Sequence, residues 1–347
     1  MQLPPLPVLD LNFAWFILIG VLLTGYAILD GFDLGVGMLH LFTKTDTERR
    51  LMMNSIGPLW DGNVVWLVTG GGALFAAFPN VYAAAFEGFY IPFWLLLAAL
   101  IFRAVAMEFR SKEKMGWWRK LWDGSFAVGS FLAALLIGVA MGNLVRGIPL
   151  NERGEFEGIT FLEMLHPYCL MVGVLVVALF AMHGCIYAVM KNEGELQEKL
   201  ICWLKNCMVF FIISYATVTG ATMLYFPRMT EPFREYPILS AVVFLSMLAI
   251  ANIPREVTKK RYFAGFLSSC VSIILLMVIY AIGTFPNFIY APNNPEWSLN
   301  IYNGASSHKT LWTMFIIALI GMPIVLAYTT TIYWIFRGKT KLDEHSY

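Results

Sequence analysis

Two aspartates stand inside the first apolar run of the chain, where charged side chains are costly. Asp30 and Asp33 follow the stretch that begins at Leu11, and no lysine or arginine precedes Lys44. A carboxylate near the centre of a bilayer costs on the order of a few kcal/mol or more. Residues three apart share one face of a helix. The pair therefore predicts a path for protons or ions, or a buried polar pair that faces another helix.

The composition indicates an integral membrane protein with many spans. Hydrophobic residues make up 59% of the 347 residues and charged residues only 14%, with a mean hydropathy of +0.67. A soluble domain carries roughly 25% charged residues. The net charge of +1 gives no basic surface for nucleic acid. The five cysteines form no CxxC pair and lie mostly in apolar runs, which favours small core residues over metal ligands or disulfides.

Apolar runs long enough to cross about 30 Å of hydrocarbon recur along the whole chain. They predict an all-α polytopic membrane protein with nine transmembrane helices. The predicted spans are residues 11–41, 57–79, 82–107, 122–144, 161–190, 203–226, 237–253, 262–285 and 311–336. We expect one transmembrane domain built from two four-helix bundles and one peripheral helix. These units correspond to residues 1–145, 160–286 and 308–347.

The distribution of positive charge predicts the orientation. All but five of the 24 lysines and arginines fall in loops and span ends on one side of the predicted membrane. The five exceptions are Arg146, Arg153, Arg228, Arg234 and Lys309. Because positively charged loops stay in the cytoplasm, we expect the N-terminus outside and the C-terminus inside. An odd number of spans agrees with that expectation.

Further ionisable groups are predicted at the depth of the two aspartates. Asp61 lies one turn inside the second span, and Arg103 and Glu108 end the third. With Asp30 and Asp33, they place four carboxylates and one arginine in the cytoplasmic half of the first three spans. A row of carboxylates can pass protons through a chain of waters.

Each of these groups also has a simpler structural interpretation. Asp61 could cap the second helix, since Asp is a preferred N-cap residue, and Arg103 and Glu108 could be ordinary boundary residues. Glu87, near the outer end of the third span, is favoured as a boundary carboxylate over an outer proton site. Asn63 could hydrogen-bond across helices, an effect of about 1 kcal/mol.

The histidines give little support for haem binding by this chain. His40 and His308 lie at span ends, His345 lies in the tail, and His166 opens the fifth span. Only His183 is in the middle of a span, where a hydrogen-bonded interior role is favoured. A b-type haem needs two axial ligands that face each other, and no partner for His183 is evident. We therefore predict that this chain ligates no haem and no metal.

Three stretches resemble subunit II of the cytochrome bd-type quinol oxidases. They are GYAILDGFDLGVGM, TERRLMMNSIGPLWDGNVVWLVTGGGALFAAFPNVYAAAF and RAVAMEFRSK. The resemblance joins a paired-aspartate motif, a WDGN motif and a GGALFAAFP motif in the order of the family. It is strong over the first four spans, and beyond them it rests mainly on the number and length of the spans.

The resemblance implies one subunit of a terminal respiratory oxidase in the bacterial cytoplasmic membrane. Members of that family oxidise quinol and reduce O2 to water with two b-type haems and one d-type haem. These haems belong to the larger subunit I, so the resemblance implies a heterodimer in which subunit II stabilises its partner. The family draws the protons for water formation from the cytoplasm.

The resemblance also suggests roles for the acidic residues. Asp33 matches the second aspartate of GFDxGVGM, Asp61 the aspartate of WDGN, and Glu108 an acidic position after the third span. The family associates these positions with cytoplasmic proton uptake, and Asp30 matches a supporting position. Val64 departs from the family, which often carries a polar residue there.

Several partners and one other function stay open at this point. Members of the family can hold a structural quinone in subunit II, but the sequence assigns no contacts for it. A small third subunit also stays open as a partner, and lipid surrounds any such protein. From the residues alone, intramembrane carboxylates on many spans fit a proton-coupled secondary transporter equally well, although no symmetry between two halves supports that alternative.

Overall fold

The computed structural model describes residues 10–342 and consists almost entirely of helices. The helices are α1 (Leu11–His40), α2 (Asp46–Ile56), α3 (Trp60–Ala77), α4 (Pro79–Gly88), α5 (Tyr90–Phe109), α6 (Gly116–Arg146), α7 (Phe161–Met164), α8 (Pro167–Lys191), α9 (Gly194–Tyr225), α10 (Glu231–Glu235), α11 (Ser240–Thr258), α12 (Tyr262–Thr284) and α13 (His308–Ile335). Between α12 and α13, the short strands β1 (Asn287–Ile289) and β2 (Leu299–Asn300) pair antiparallel.

Within the described residues, eight helices are long and apolar enough to cross a membrane. They are α1, α5, α6, α8, α9, α11, α12 and α13, counted with the short helical turns that adjoin α5 and α11. The second predicted span corresponds to α3, which is not among the eight. Its 18 residues include Asp61, Asn63 and three consecutive glycines, which lower its hydropathy. The polytopic all-α class is confirmed, and the count of nine spans stays a prediction.

Several predicted boundaries differ from the observed ones for local reasons. The third predicted span divides into α4 and α5, which meet at Phe89. The fifth divides into α7 and α8, because the residue before a proline avoids the helical region and His166 precedes Pro167 with ψ of 143°. The sixth begins nine residues earlier than predicted, at Gly194, since the first turns of α9 are too polar to be detected as an apolar run.

Helix α1 lies at the centre of the packing. It contacts α3, α6, α8 and α12, and α8 is buried over most of its length. Helices α1 and α8 cross at Gly35 and Gly184, where a Cβ on Gly35 would overlap the Phe180 carbonyl oxygen and lie 2.8 Å from Gly184 Cα. Small residues permit such close approach in membranes. This crossing holds α1 against α8 directly after the two aspartates, whereas the arrangement in two bundles stays a prediction.

Candidate functional site

Asp30 forms a buried ion pair with Arg103 of α5. Its two carboxylate oxygens accept hydrogen bonds from Arg103 Nη2 at 2.6 Å and Nη1 at 3.0 Å. The side chains of Arg103 and Asp30 are 2% and 0% exposed. Such a two-point contact is the strongest geometry for a carboxylate and a guanidinium. The prediction of a polar pair that faces another helix is confirmed for Asp30, and Arg103 is not a boundary residue.

Asp33 lies beside this ion pair but has weaker partners. Its Oδ2 accepts a hydrogen bond from Asn63 Nδ2 at 2.7 Å and lies 3.9 Å from Arg103 Nη2. Its Oδ1 is fully buried and has no hydrogen-bond partner within residues 10–342. The carboxyl group of Asp33 is therefore only partly satisfied by the described protein.

Asn63 connects Asp33 to the last long helix. Its amide nitrogen also donates to the Leu29 carbonyl oxygen at 3.2 Å, and its Oδ1 accepts from the Tyr333 hydroxyl at 2.9 Å. Every polar atom of the Asn63 side chain thus has a partner. The predicted hydrogen bond of Asn63 across helices is confirmed, and it extends to α13, which the sequence did not associate with this site.

Two lysines hold the end of α13 that carries Tyr333. Lys191, at the end of α8, donates to the carbonyl oxygens of Phe336 and Gly338, while Lys339 donates to those of Met190 and Asn192 at 2.9 and 2.8 Å. Lys191 thus binds carbonyl groups just beyond the C-terminus of α13, and Lys339 binds carbonyl groups at the C-terminus of α8. Cations are favoured at the C-termini of helices. Because α13 is otherwise largely exposed, this exchange fixes the position of Tyr333.

Asp61 is separated from this network. It lies in the first turn of α3 and is exposed, whereas Asn63 is 2% exposed. Residues two apart on a helix point in nearly opposite directions. Asp61 therefore lies on the face of α3 that is turned away from Asp33, and Asn63 lies on the face that contacts it. The N-cap position of α3 is Leu59, and no side chain caps that helix. The alternative role of Asp61 as a cap is therefore wrong.

The other two predicted carboxylates also lie outside the buried group. Glu108 is exposed in the last turn of α5, and Glu87 is exposed at the end of α4. Val64, which departs from the family pattern, is half-buried next to Asn63. Of the predicted residues, the structure brings together Asp30, Asp33, Asn63 and Arg103.

The buried group can hold and transfer a proton. Two carboxylates share one guanidinium, and a buried charge without a partner is strongly unfavourable. A proton on Asp33 would remove that imbalance. Nearby, the Tyr26 hydroxyl and Arg103 Nε are also buried without a hydrogen-bond partner in the described part of the chain. Buried polar atoms of this kind are normally satisfied by ordered water, which conducts protons between carboxyl groups.

His183, the histidine in the middle of a span, has hydrogen-bond partners within the protein. His183 Nδ1 lies 2.7 Å from Ser269 Oγ, and its Nε2 lies 3.0 Å from the Ile28 carbonyl oxygen. Both ring nitrogens thus have partners, as the interior role predicts. In residues 10–342 no group of three or more His, Cys, Asp or Glu is arranged to hold a metal ion. His345 lies outside the described residues, and the absence of haem stays a prediction.

The fold and the site define a polytopic helical membrane protein with a carboxylate–guanidinium group inside its packing. The family described as cytochrome bd terminal oxidase subunit II matches residues 11–336. The chain is similar to cytochrome bd-I ubiquinol oxidase subunit 2 of Escherichia coli K12, with 39% identity over 96% of each chain. It is also similar to cytochrome bd ubiquinol oxidase subunit 2 of Bacillus subtilis 168, with 32% identity over 96% of this chain and 98% of that one.

A solved structure has the same fold. The bd oxidase of Geobacillus thermodenitrificans matches with a TM-score of 0.79 at 14% identity, over 94% of this chain and 98% of that chain. The chain therefore belongs to the family of cytochrome bd terminal oxidase subunit II, as the sequence motifs predicted. It is an integral membrane subunit of an oxidoreductase complex, and nothing in these comparisons favours a secondary transporter.

Proposed function

We propose that this chain is the haem-free subunit of a quinol:oxygen oxidoreductase and supplies protons from the cytoplasm to the site of O2 reduction on subunit I. The similarity to proteins named ubiquinol oxidase subunit 2 supports quinol as the reductant. The second role of the chain is to stabilise subunit I as a heterodimer. The distribution of positive charge supports an orientation with the N-terminus outside and the C-terminus in the cytoplasm.

The observation that carries the proton-transfer proposal is the state of Asp33. It is fully buried, its Oδ1 lacks a hydrogen-bond donor within the described residues, and the nearest guanidinium is committed to Asp30. A carboxylate with only a structural role would have its hydrogen bonds completed by its neighbours. Asp33 is instead arranged to accept a proton and to release it.

The other acidic residues serve the same path from different positions. Asp61 and Glu108 are exposed near the predicted cytoplasmic ends of α3 and α5, where they collect protons from the aqueous side. Asp30 fixes Arg103 through its two-point contact, and this arrangement keeps the guanidinium from neutralising Asp33 fully. Asn63 and Tyr333 orient the Asp33 carboxyl group.

The experiment compares Asp33→Asn and Asp61→Asn with the unchanged complex. We expect Asp33→Asn to slow steady-state O2 reduction by roughly tenfold or more, because a proton-transfer group contributes factors of this size or larger. Asp61→Asn should also slow it, while the haem spectra stay normal in both. Glu235→Gln is the matched control, since Glu235 is an exposed carboxylate at the opposite end of the helices. Normal turnover in both aspartate variants would remove the proton path.

Purification tests the subunit assignment separately. Expressed with its partner, the chain should copurify with a haem-bearing subunit, and expressed alone it should show no Soret absorption. A stoichiometric haem signal from the isolated chain would contradict the proposed assignment of all haems to subunit I.

A further inference from the structure

A second buried ionic group lies at the predicted cytoplasmic end of α1, around His40. The side chain of His40 is 0% exposed, and its Nε2 lies 3.2 Å from Asp123 Oδ1. Asp123 also accepts hydrogen bonds from Arg110 Nε at 2.5 Å and from Arg49 Nη1 at 2.8 Å. Asp46, whose side chain is 46% exposed, accepts from Arg110 Nη2 at 2.7 Å. The group therefore connects a buried imidazole with the aqueous surface.

His40 lies on the same face of α1 as Asp33. The two are seven residues apart, which is two helical turns or about 10 Å. Gly37 stands between them and leaves room for Ser130 of α6, because a Cβ on Gly37 would overlap Ser130 Oγ and lie 2.8 Å from Ser130 Cβ. Asp123 and Ser130 are likewise seven residues apart on one face of α6. A hydroxyl group thus lies at a depth between the imidazole and the Asp33 carboxyl group.

We propose that His40 is a proton-relay residue that passes protons from the Asp123 group past Ser130 to Asp33. This inference rests on the proposed proton-transfer function of Asp33. In each transfer, a proton arrives at one ring nitrogen while the proton on the other nitrogen leaves. The imidazole is then neutral in its other tautomer, and a turn of the ring restores the starting tautomer. Neither ring nitrogen of His40 has a hydrogen-bond partner in the described residues. Nε2 lies within ion-pair distance of Asp123, and Nδ1 is open to a buried water.

The charges around His40 favour a relay over a stored charge. It faces the Asp123 carboxylate of α6 and the guanidinium groups of Arg49 and Arg110. Asp46 adds a second carboxylate, paired with Arg110 and Arg119, so three guanidinium groups face two carboxylates. This excess of positive charge disfavours a lasting imidazolium, and a transferred proton moves on. The Phe126 ring packs edge-on against the His40 ring, with 5.4 Å between the two ring centroids. The proton passes from His40 to Ser130 through water at the edge of the Phe126 ring.

The test measures cytoplasmic proton uptake after an O2 pulse in the intact complex carrying His40→Gln. We expect uptake at least fivefold slower than in the unchanged complex, with normal reduction of the haems by quinol. His183→Gln is the matched control, because His183 is an equally buried histidine that bonds to Ser269 and Ile28, outside this group. It should take up protons at the normal rate. Normal uptake in His40→Gln would overturn the proposal.

A conservative variant separates proton relay from packing. His40→Glu keeps a group that can bind and release a proton, and we expect it to recover at least half of the rate lost in His40→Gln. Equal slowing in both variants would assign His40 a packing role and overturn the proposal. His40→Asn replaces His40→Gln if that variant does not assemble.

The double variant distinguishes this inference from the proposed function. If His40 feeds Asp33, His40→Gln combined with Asp33→Asn should be no slower than Asp33→Asn alone. Additional slowing would mean that the two residues serve different routes, which contradicts the relay. Slow uptake in Asp33→Asn with normal uptake in His40→Gln would refute the relay and leave the proposed function intact, whereas normal uptake in both would refute both.

Discussion

Replacing Arg103 by glutamine should destabilise the chain more than any other single change at the buried site. The substitution removes both hydrogen bonds to Asp30 and the guanidinium group that lies 3.9 Å from Asp33. Two buried carboxylates then face each other without a cation. Removing one partner of a buried ion pair costs about 3–5 kcal/mol, because the remaining charge is left uncompensated.

That free energy converts into a measurable change in melting temperature. Unfolding entropy is about 2.1 cal/mol/K per residue, which gives about 0.7 kcal/mol/K for 347 residues. A loss of about 3–5 kcal/mol therefore lowers the melting temperature by roughly 4 to 7 °C. Tryptophan fluorescence of the purified complex reports this transition, since the chain has 11 tryptophans.

Two related variants make the comparison specific to charge. Asp30→Asn should cost less than Arg103→Gln, because Arg103 keeps Asp33 as a partner at 3.9 Å. The double variant Arg103→Gln with Asp30→Asn should recover part of the loss, since it leaves one buried carboxylate instead of two. An unchanged melting temperature in Arg103→Gln, or a double variant less stable than Arg103→Gln alone, would refute this reasoning.

Two further predictions concern packing and pH. Gly35→Ala should destabilise the chain by about 3 kcal/mol or more in thermal unfolding, because the new Cβ meets the backbone of α8 at Gly184. Gly20→Ala is the control and should have little effect, because Gly20 has open space around it. Pairing with Lys199 and hydrogen bonds from backbone N–H groups lower the pKa of Glu48. Its charged form therefore stabilises the fold above the ordinary glutamate pKa, and the stability difference from Glu48→Gln should shrink as pH falls below about 4.5.

The buried carboxylates and their arginine could be predicted because charged residues inside apolar runs are visible in a sequence. Asp30, Asp33 and Arg103 stand in apolar runs, and the orientation of the spans places them at one depth. Depth does not give the direction of a side chain around its helix. For this reason, Asp61 was grouped with the aspartates, although Asn63 is the residue of α3 that reaches them.

The remaining contacts depend on long-range packing. Tyr333 joins Asn63 across 270 residues of sequence, and a tyrosine in an apolar helix gives no signal of such a partner. His40 was treated only as a residue at a span end, because the carboxylate beside it comes from α6. Helix boundaries were less predictable where polar turns extend a span, as at the start of α9, or where a proline divides one, as at Pro167.

The most direct test of a proton path through this chain is simultaneous measurement of proton uptake and haem oxidation after an O2 pulse. In the complex carrying Asp33→Asn, cytoplasmic proton uptake and the slow phase of O2 reduction should both be slowed by roughly tenfold or more. The reduction of the haems by quinol should keep its normal rate. Proton uptake at the normal rate in this variant would contradict the assignment of Asp33 to the path.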